Sequence, residues 1–184
     1  KNLTMKTYLL LLATIVLCSL QCRKTSRPPV TDIPGLPSAT QTGANTLGFL
    51  LNGQPWTPEG PNNLSIDYDP GFNNGIVGIV AYRKINSTNS TQIVLGIKDS
   101  LNFMTIPISK NVGKNTLGFV NYSNSSFCSY HQNDDSTYTI GVITISKLDK
   151  LNRIIAGSFE CKLFNRLCNK DTLVITNGRF DMKF

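Results

Sequence analysis

Ile154-Ile155-Ala156-Gly157-Ser158-Phe159-Glu160-Cys161-Lys162-Leu163-Phe164 is the stretch that decides the fold. Ile155, Phe159, Cys161 and Leu163, at odd positions, are apolar; Ser158, Glu160 and Lys162, at even positions, are polar. Successive side chains on a strand point to opposite faces. The segment therefore has one buried face and one wet face, as in an antiparallel sheet covered on one side. Asp149 to Asn152 forms the turn that joins it to Ile143-Thr144-Ile145. Further on, Leu173 and Ile175 share one parity, and Phe180, Met182 and Phe184 have the other. A one-residue slip at Asn177-Gly178 would bring both sets to one face, through a bulge or a tight turn.

The same period of two runs back through the chain. Asn52-Gly53 separates Leu47-Gly48-Phe49-Leu50-Leu51 from Gln54-Pro55-Trp56, a hairpin signal. Strands are expected at Leu64 to Tyr68, Gly75 to Ile85, Gln92 to Lys98, Phe103 to Ile108, Leu117 to Tyr122 and Tyr138 to Leu148. Asp69-Pro70-Gly71, Asn73-Asn74-Gly75 and Asn86 to Asn89 supply turn residues between them. No long segment carries an apolar stripe at helical spacing. The fold class expected is all-β, an antiparallel sandwich or barrel of roughly nine or ten strands. It occupies residues 46–184 as a single domain.

The N-terminal region has another character. Lys6 precedes the apolar run Tyr8 to Leu17, which ends in Ser19-Leu20-Gln21-Cys22. A positive flank, a short apolar core and a small-residue exit make a secretory signal peptide, residues 1–21. The run is short of the roughly 20 residues a membrane-crossing helix needs. Cys22 at the exit resembles the lipobox cysteine of bacterial lipoproteins. The match departs from that pattern, with Ser19 and Gln21 at the two positions that define it. Cys18 is a competitor, and an ordinary cleavage nearby is the alternative. An acylated Cys22 would attach the chain to a membrane at the bacterial cell envelope, expected to be the outer membrane. Residues 22–45 then read as a tether, because Pro28, Pro29, Pro34 and Pro37 interrupt regular structure and Ser, Thr and Gly fill the gaps.

Three separated stretches resemble a family of Bacteroidetes-type exported lipoproteins of unknown function. They are Ala39 to Phe49 with Leu51 to Trp56, Ile143 to Asp149 with Ile155 to Phe159, and the closing Ile175-Thr176-Asn177-Gly178-Arg179-Phe180-Asp181. The resemblance implies an exported β-rich domain and supplies no catalytic residues.

The formal charge is +7, but the bases are scattered and form no stripe, so no nucleic-acid partner is expected. With Cys22 committed to lipid, Cys128, Cys161 and Cys168 leave at most one internal disulfide. An oxidising compartment permits it. Cys161 with Cys168 is the expected pair, across a short excursion that turns back, and Cys128 is the alternative partner for either. No cysteine or histidine spacing supports a zinc site, and no cofactor is expected.

Sites of chemistry are sparse. His131 is the only histidine, in the polar stretch Ser129-Tyr130-His131-Gln132-Asn133-Asp134-Asp135. No nucleophile-elbow motif accompanies it. Asp67 with Asp69, or Asp134 with Asp135, could be imagined as a glycosidase pair, but turn aspartates commonly satisfy local backbone donors. Asp67-Tyr68-Asp69-Pro70-Gly71 lacks the later ligands of a calcium loop. Trp56, Tyr68, Phe72 and Tyr82 could form an aromatic platform for a sugar or peptide, with Trp56 better read as a packed anchor. Binding residues favour loops on a rigid scaffold. Phe72, Asn73, Asn74, Tyr130, His131, Asp134 and Asp135 are therefore the candidate ligand contacts. The function expected is a non-catalytic binding or structural module of the cell envelope, its partners a membrane through the lipid and a glycan or envelope protein. The alternative is an envelope enzyme acting on glycans.

Overall fold

Asn52 and Gly53 both take positive φ, 49° and 80°, and turn β1 (Thr46–Leu51) directly into β2 (Gln54–Trp56). Asparagine and glycine tolerate that left-handed backbone, which matches the twist of a two-residue hairpin. The structure is a computed structural model that describes residues 32–125, 128–131, 136–168 and 172–184. The remaining strands are β3 (Leu64–Asp69), β4 (Ile76–Lys84), β5 (Ser90–Ile97), β6 (Ile108–Val112), β7 (Gly118–Asn124), β8 (Ser129–Tyr130), β9 (Thr137–Asp149), β10 (Ile154–Asn165) and β11 (Thr172–Lys183).

All belong to one sheet of eleven strands in the order β2-β1-β11-β10-β9-β6-β7-β5-β4-β3, with β8 added to β7. Among the described residues the strands pair antiparallel, except that β6 and β7 meet in a parallel contact at Val112 and Gly118. The sheet is not closed into a barrel; it folds over on itself like a sandwich. The two halves share one core. Phe49 and Trp56 stack with ring centroids 4.7 Å apart, and Phe159 meets Phe49 edge-on at 5.7 Å. Trp56 Nε1 donates to Thr91 Oγ1 on β5 at 2.9 Å, and Tyr68 on β3 packs against Phe184. Ile79, Ile93, Leu95 and Ile97 complete the facing layer. Tyr122, beside Thr91, is held above the usual tyrosine pKa by burial, which outweighs the hydrogen bond from Thr91.

The alternation of Ile154 to Phe164 is what the structure shows, since Ile155, Phe159, Cys161 and Leu163 are buried. The slip at Asn177-Gly178 is a bulge. β11 runs through it unbroken, Asn177 has φ 54°, and the register shifts on both sides, between Phe159 and Cys161 of β10 and between Gly48 and Leu50 of β1. One expected strand is corrected. Phe103 to Ile108 is not a strand: a 3-10 turn occupies Leu101–Phe103, Phe103 is exposed, and the ladder begins only at Ile108, after Pro107. Proline has no N–H to give a ladder. The two-residue strand β8 went unforeseen.

The tether is also corrected where it is described. Residues 32–45 are not a free stalk but belong to the same compact unit as the strands, Asp32–Phe184. Pro37 to Ala44 lie as a strap across the outer side of β11, β10 and β9. Asp181, 1% exposed, accepts from the Thr40 hydroxyl at 2.6 Å, the Thr42 amide at 2.9 Å and the Gly43 amide at 2.7 Å. Arg179 Nη1 donates to the Pro37 carbonyl, Gln41 Nε2 to Ser146 Oγ, and Lys147 Nζ to the Gln41 carbonyl. Burial pushes the Asp181 carboxyl up, but the donors from Thr40, Thr42, Gly43 and Ala44 together hold it below the usual carboxylate range. Reading the prolines as breakers was sound; what that reading lacked was the carboxylate that gathers the freed amides.

The cysteine pairing differs from the one expected. Cys128 and Cys168 are bonded, with Cα atoms 5.6 Å apart, and Cys161 is a buried free thiol. The cause is the turn at Asn165. Its Oδ1 accepts from the Leu167 amide, its carbonyl from the Cys168 amide, and its Nδ2 donates to the Ser129 carbonyl. This turn delivers Cys168 to the β8 side, whereas the residue opposite Cys161 on β11 is Ile175. Burial first, and the Glu160 charge second, push the Cys161 thiol up to about 12. A raised thiol pKa favours the native state only while the unfolded thiol is also protonated. Stability should therefore fall from about pH 8.5, the unfolded value, until about pH 12, by up to ~1.4 kcal/mol per pH unit. Urea midpoints measured at pH 8 and pH 10 on wild type and Cys161→Ala test this. The alkaline loss should be smaller in the variant; equal losses would contradict it.

Candidate functional site

The loop from β2 to β3 does not leave the sheet. Glu59 forms a parallel bridge with Arg83, its amide donates to the Tyr82 carbonyl, and its carbonyl accepts from the Lys84 amide. The Tyr82 amide in turn donates to the Asn63 carbonyl at 2.7 Å. Glu59 Oε2 lies 3.5 Å from Arg83 Nε. Between these fixed points the chain arches through Gly60, at φ 110°, Pro61 and Asn62, at φ 51°. Glycine suits that position because its backbone reaches positive φ without steric penalty.

The arch is one wall of an open groove of about 410 Å³. The other wall is the β4–β5 hairpin tip, where Asn86 Oδ1 accepts from the amides of Thr88 and Asn89. Tyr82 lies between the walls. It stands on the outer face of β4, opposite Gln92, and is 45% exposed. Gln92 Nε2 donates to its phenolic oxygen at 3.0 Å, which fixes the ring. The lining contains one carboxylate, Glu59, and one ammonium, Lys84; the rest is amide, hydroxyl, glycine and proline around the tyrosine. A second, smaller cleft of about 300 Å³ lies between Leu47 of β1 and Leu64 of β3, closed on one side by Pro37 of the strap.

The contacts expected from the sequence are scattered. Phe72 is exposed, at the opposite end of β4 from Tyr82. Asn73 and Asn74 are turn residues with φ 45° and 58°, and their carbonyls accept from the Ser100 and Asn102 amides, so they buttress the next loop. Tyr130 is a correction: it is 2% exposed and packs near Tyr122 in the core, so it presents no contact surface. His131 Nδ1 and Ser129 Oγ lie 3.2 Å apart. Asp134 and Asp135 lie outside the described residues, as does Cys22. Asp67 and Asp69 share the exposed face of β3, and Asp69 Oδ1 accepts from the Gly71 and Phe72 amides, the local backbone role expected of it. The four-aromatic platform does not form. Trp56 is core, Tyr68 packs on Phe184, and Phe72 is remote, which leaves Tyr82 alone in the groove.

Sequence reading named Tyr82 only as one of those four and missed the groove. The available signal was the cluster of turn residues Gly60-Pro61-Asn62-Asn63, with an outward tyrosine near the end of the second strand after it. Among the described residues, no three His, Cys, Asp or Glu side chains gather to hold a metal. Comparison of the chain with protein-family models, with curated proteins and with solved structures finds no match.

Proposed function

We propose that this chain is a lipoprotein of the bacterial cell envelope, anchored through Cys22 in the outer membrane, whose β-domain binds and does not catalyse. The groove beside Tyr82 carries the binding part of this reading. Its two walls are held by backbone hydrogen bonds and its ring by Gln92, so the surface is shaped before any ligand arrives. Preorganised surfaces lose little entropy on binding. Glycoside hydrolysis needs two carboxyls placed about 5 to 9.5 Å apart, and the groove lining offers Glu59 alone, already paired with Arg83. Incubation of the protein with neutral hexasaccharides should return them intact. Steady cleavage that follows the protein through purification would replace this reading with the glycosidase one.

The anchor rests on the sequence, where the apolar run ends at Ser19-Leu20-Gln21-Cys22. Each buried methylene of an acyl chain contributes about 0.8 kcal/mol, so more than one chain holds stably to a bilayer. Cys22→Ser should abolish incorporation of a labelled fatty acid and release the protein from the membrane fraction. Label retained by the variant would contradict the assignment.

A further inference from the structure

We infer that the ligand of the Tyr82 groove is a neutral oligosaccharide; the inference rests on the reading of the domain as a binding module. The chemistry of the lining selects it. A pyranose ring has an apolar face of C–H bonds and a rim of hydroxyls that both donate and accept. The exposed Tyr82 ring, held at its hydroxyl by Gln92, suits the face. Amides and hydroxyls, which likewise donate and accept, suit the rim. Asn62, Asn63 and Ser87 line the groove, and their side chains make no hydrogen bond to other described residues. In the free protein they are satisfied by water, which a sugar hydroxyl can replace.

Size and charge agree. The groove volume of about 410 Å³ falls in the range of small-ligand sites, and its open side leaves room for a chain longer than the part it holds. Arg83 neutralises Glu59, which leaves the single ammonium of Lys84, too weak a field to select a polyanion. A peptide strand would need an unpaired sheet edge or an apolar pocket. The groove offers neither, because Glu59 to Asn63 already occupy the edge of β4 beyond β3.

The test uses the full-length chain in detergent, titrated with hexasaccharides of α- and β-linked glucose, xylose and mannose. Hexagalacturonate and a heparin-derived hexasaccharide serve as charged comparators. Saturable binding to at least one neutral hexasaccharide is expected, little changed between low and high salt. Tyr82→Ala should weaken it at least tenfold, while Tyr82→Phe, which keeps the ring, weakens it much less. Tyr82 is exposed, so the alanine variant should keep its thermal midpoint, which separates loss of binding from loss of fold. Binding confined to the charged comparators, or binding indifferent to Tyr82→Ala, overturns the inference. A parallel measurement with isolated envelope fragments separates it from the broader reading. If Tyr82→Ala abolishes attachment to the fragments but no hexasaccharide binds, the groove still binds and the saccharide assignment falls. If neither measurement depends on Tyr82, both fall.

Discussion

Cys168→Ser should lower stability by about 4 kcal/mol, the cost of releasing a loop of this length in the unfolded chain. The bond spans a sequence separation of 40, and a constraint on so long a loop removes much of the unfolded chain's freedom. Cys128→Ser should match it, since either change opens the same loop. Cys161→Ala should cost only about 1 kcal/mol, because it removes one sulfur from a packed site and breaks no link. Urea midpoints for the three variants, alongside peptide mapping under non-reducing conditions, separate the assignments. If Cys161→Ala were as damaging as Cys168→Ser, and a Cys161–Cys168 peptide appeared, the pairing of Cys128 with Cys168 would be wrong. Alkylation of native protein should spare Cys161, which is buried and holds its proton well above neutral pH.

Asp181→Ala should cost about 3 kcal/mol and free the strap. The variant leaves the Thr40 hydroxyl and the amides of Thr42 and Gly43 without their shared acceptor. Each buried donor so orphaned costs about 1 to 3 kcal/mol, reduced where water can enter as the strap lifts. Asp181→Asn keeps the shape but turns one acceptor into a donor, so it should recover only part of the loss. Limited proteolysis gives the local readout, with new cleavage between residues 37 and 45 in the variant and none in wild type. The pH dependence has a definite sign. Because the folded carboxyl is held below its usual value, its contribution is complete above about pH 4 and is lost as pH falls through the folded pKa. Wild type should lose stability in that acid window, and Asp181→Ala should lose less. A variant with an unchanged acid limb would show that Asp181 does not clasp the strap.

Much of the fold could be read from the chain because burial on one face writes itself into parity. β10, β9, β4 and β5 were legible for that reason, and so was the bulge in β11, where a change of parity had to be absorbed. Phe103 to Ile108 misled because Met104, Ile106 and Ile108 alternate with Thr105 and Pro107 as a strand would, yet Pro107 leaves a gap in any ladder there. The strap was not legible. Its residues are polar or small, and what orders them is a carboxylate far away on β11, a relation with no local pattern. The same limit applied to the site. Glu59 lies in the loop from β2 to β3 and Tyr82 on β4, and only the backbone pairing of Glu59 with β4 brings the arch beside the ring. The cysteine pairing depended on the direction of one turn at Asn165, which spacing alone does not encode.

The stretches Ala39 to Trp56, Ile143 to Asp149 with Ile155 to Phe159, and Ile175 to Asp181 are distant in the chain but adjacent in space, forming the strap and the run of strands β2-β1-β11-β10-β9. At the centre of that run β1 pairs with β11, Thr46 opposite Asp181. A chain made from its N-terminus thus has only β2 beside β1, and lacks the Asp181 acceptor for the strap, until β11 has been synthesised. Nascent β1 and β2 can form only a short hairpin, and a lone hairpin is marginal in water. Closing so distant a pair is also slow. The seam between β1 and β11, and the clasp on the strap, therefore cannot close before the whole of the domain has been made.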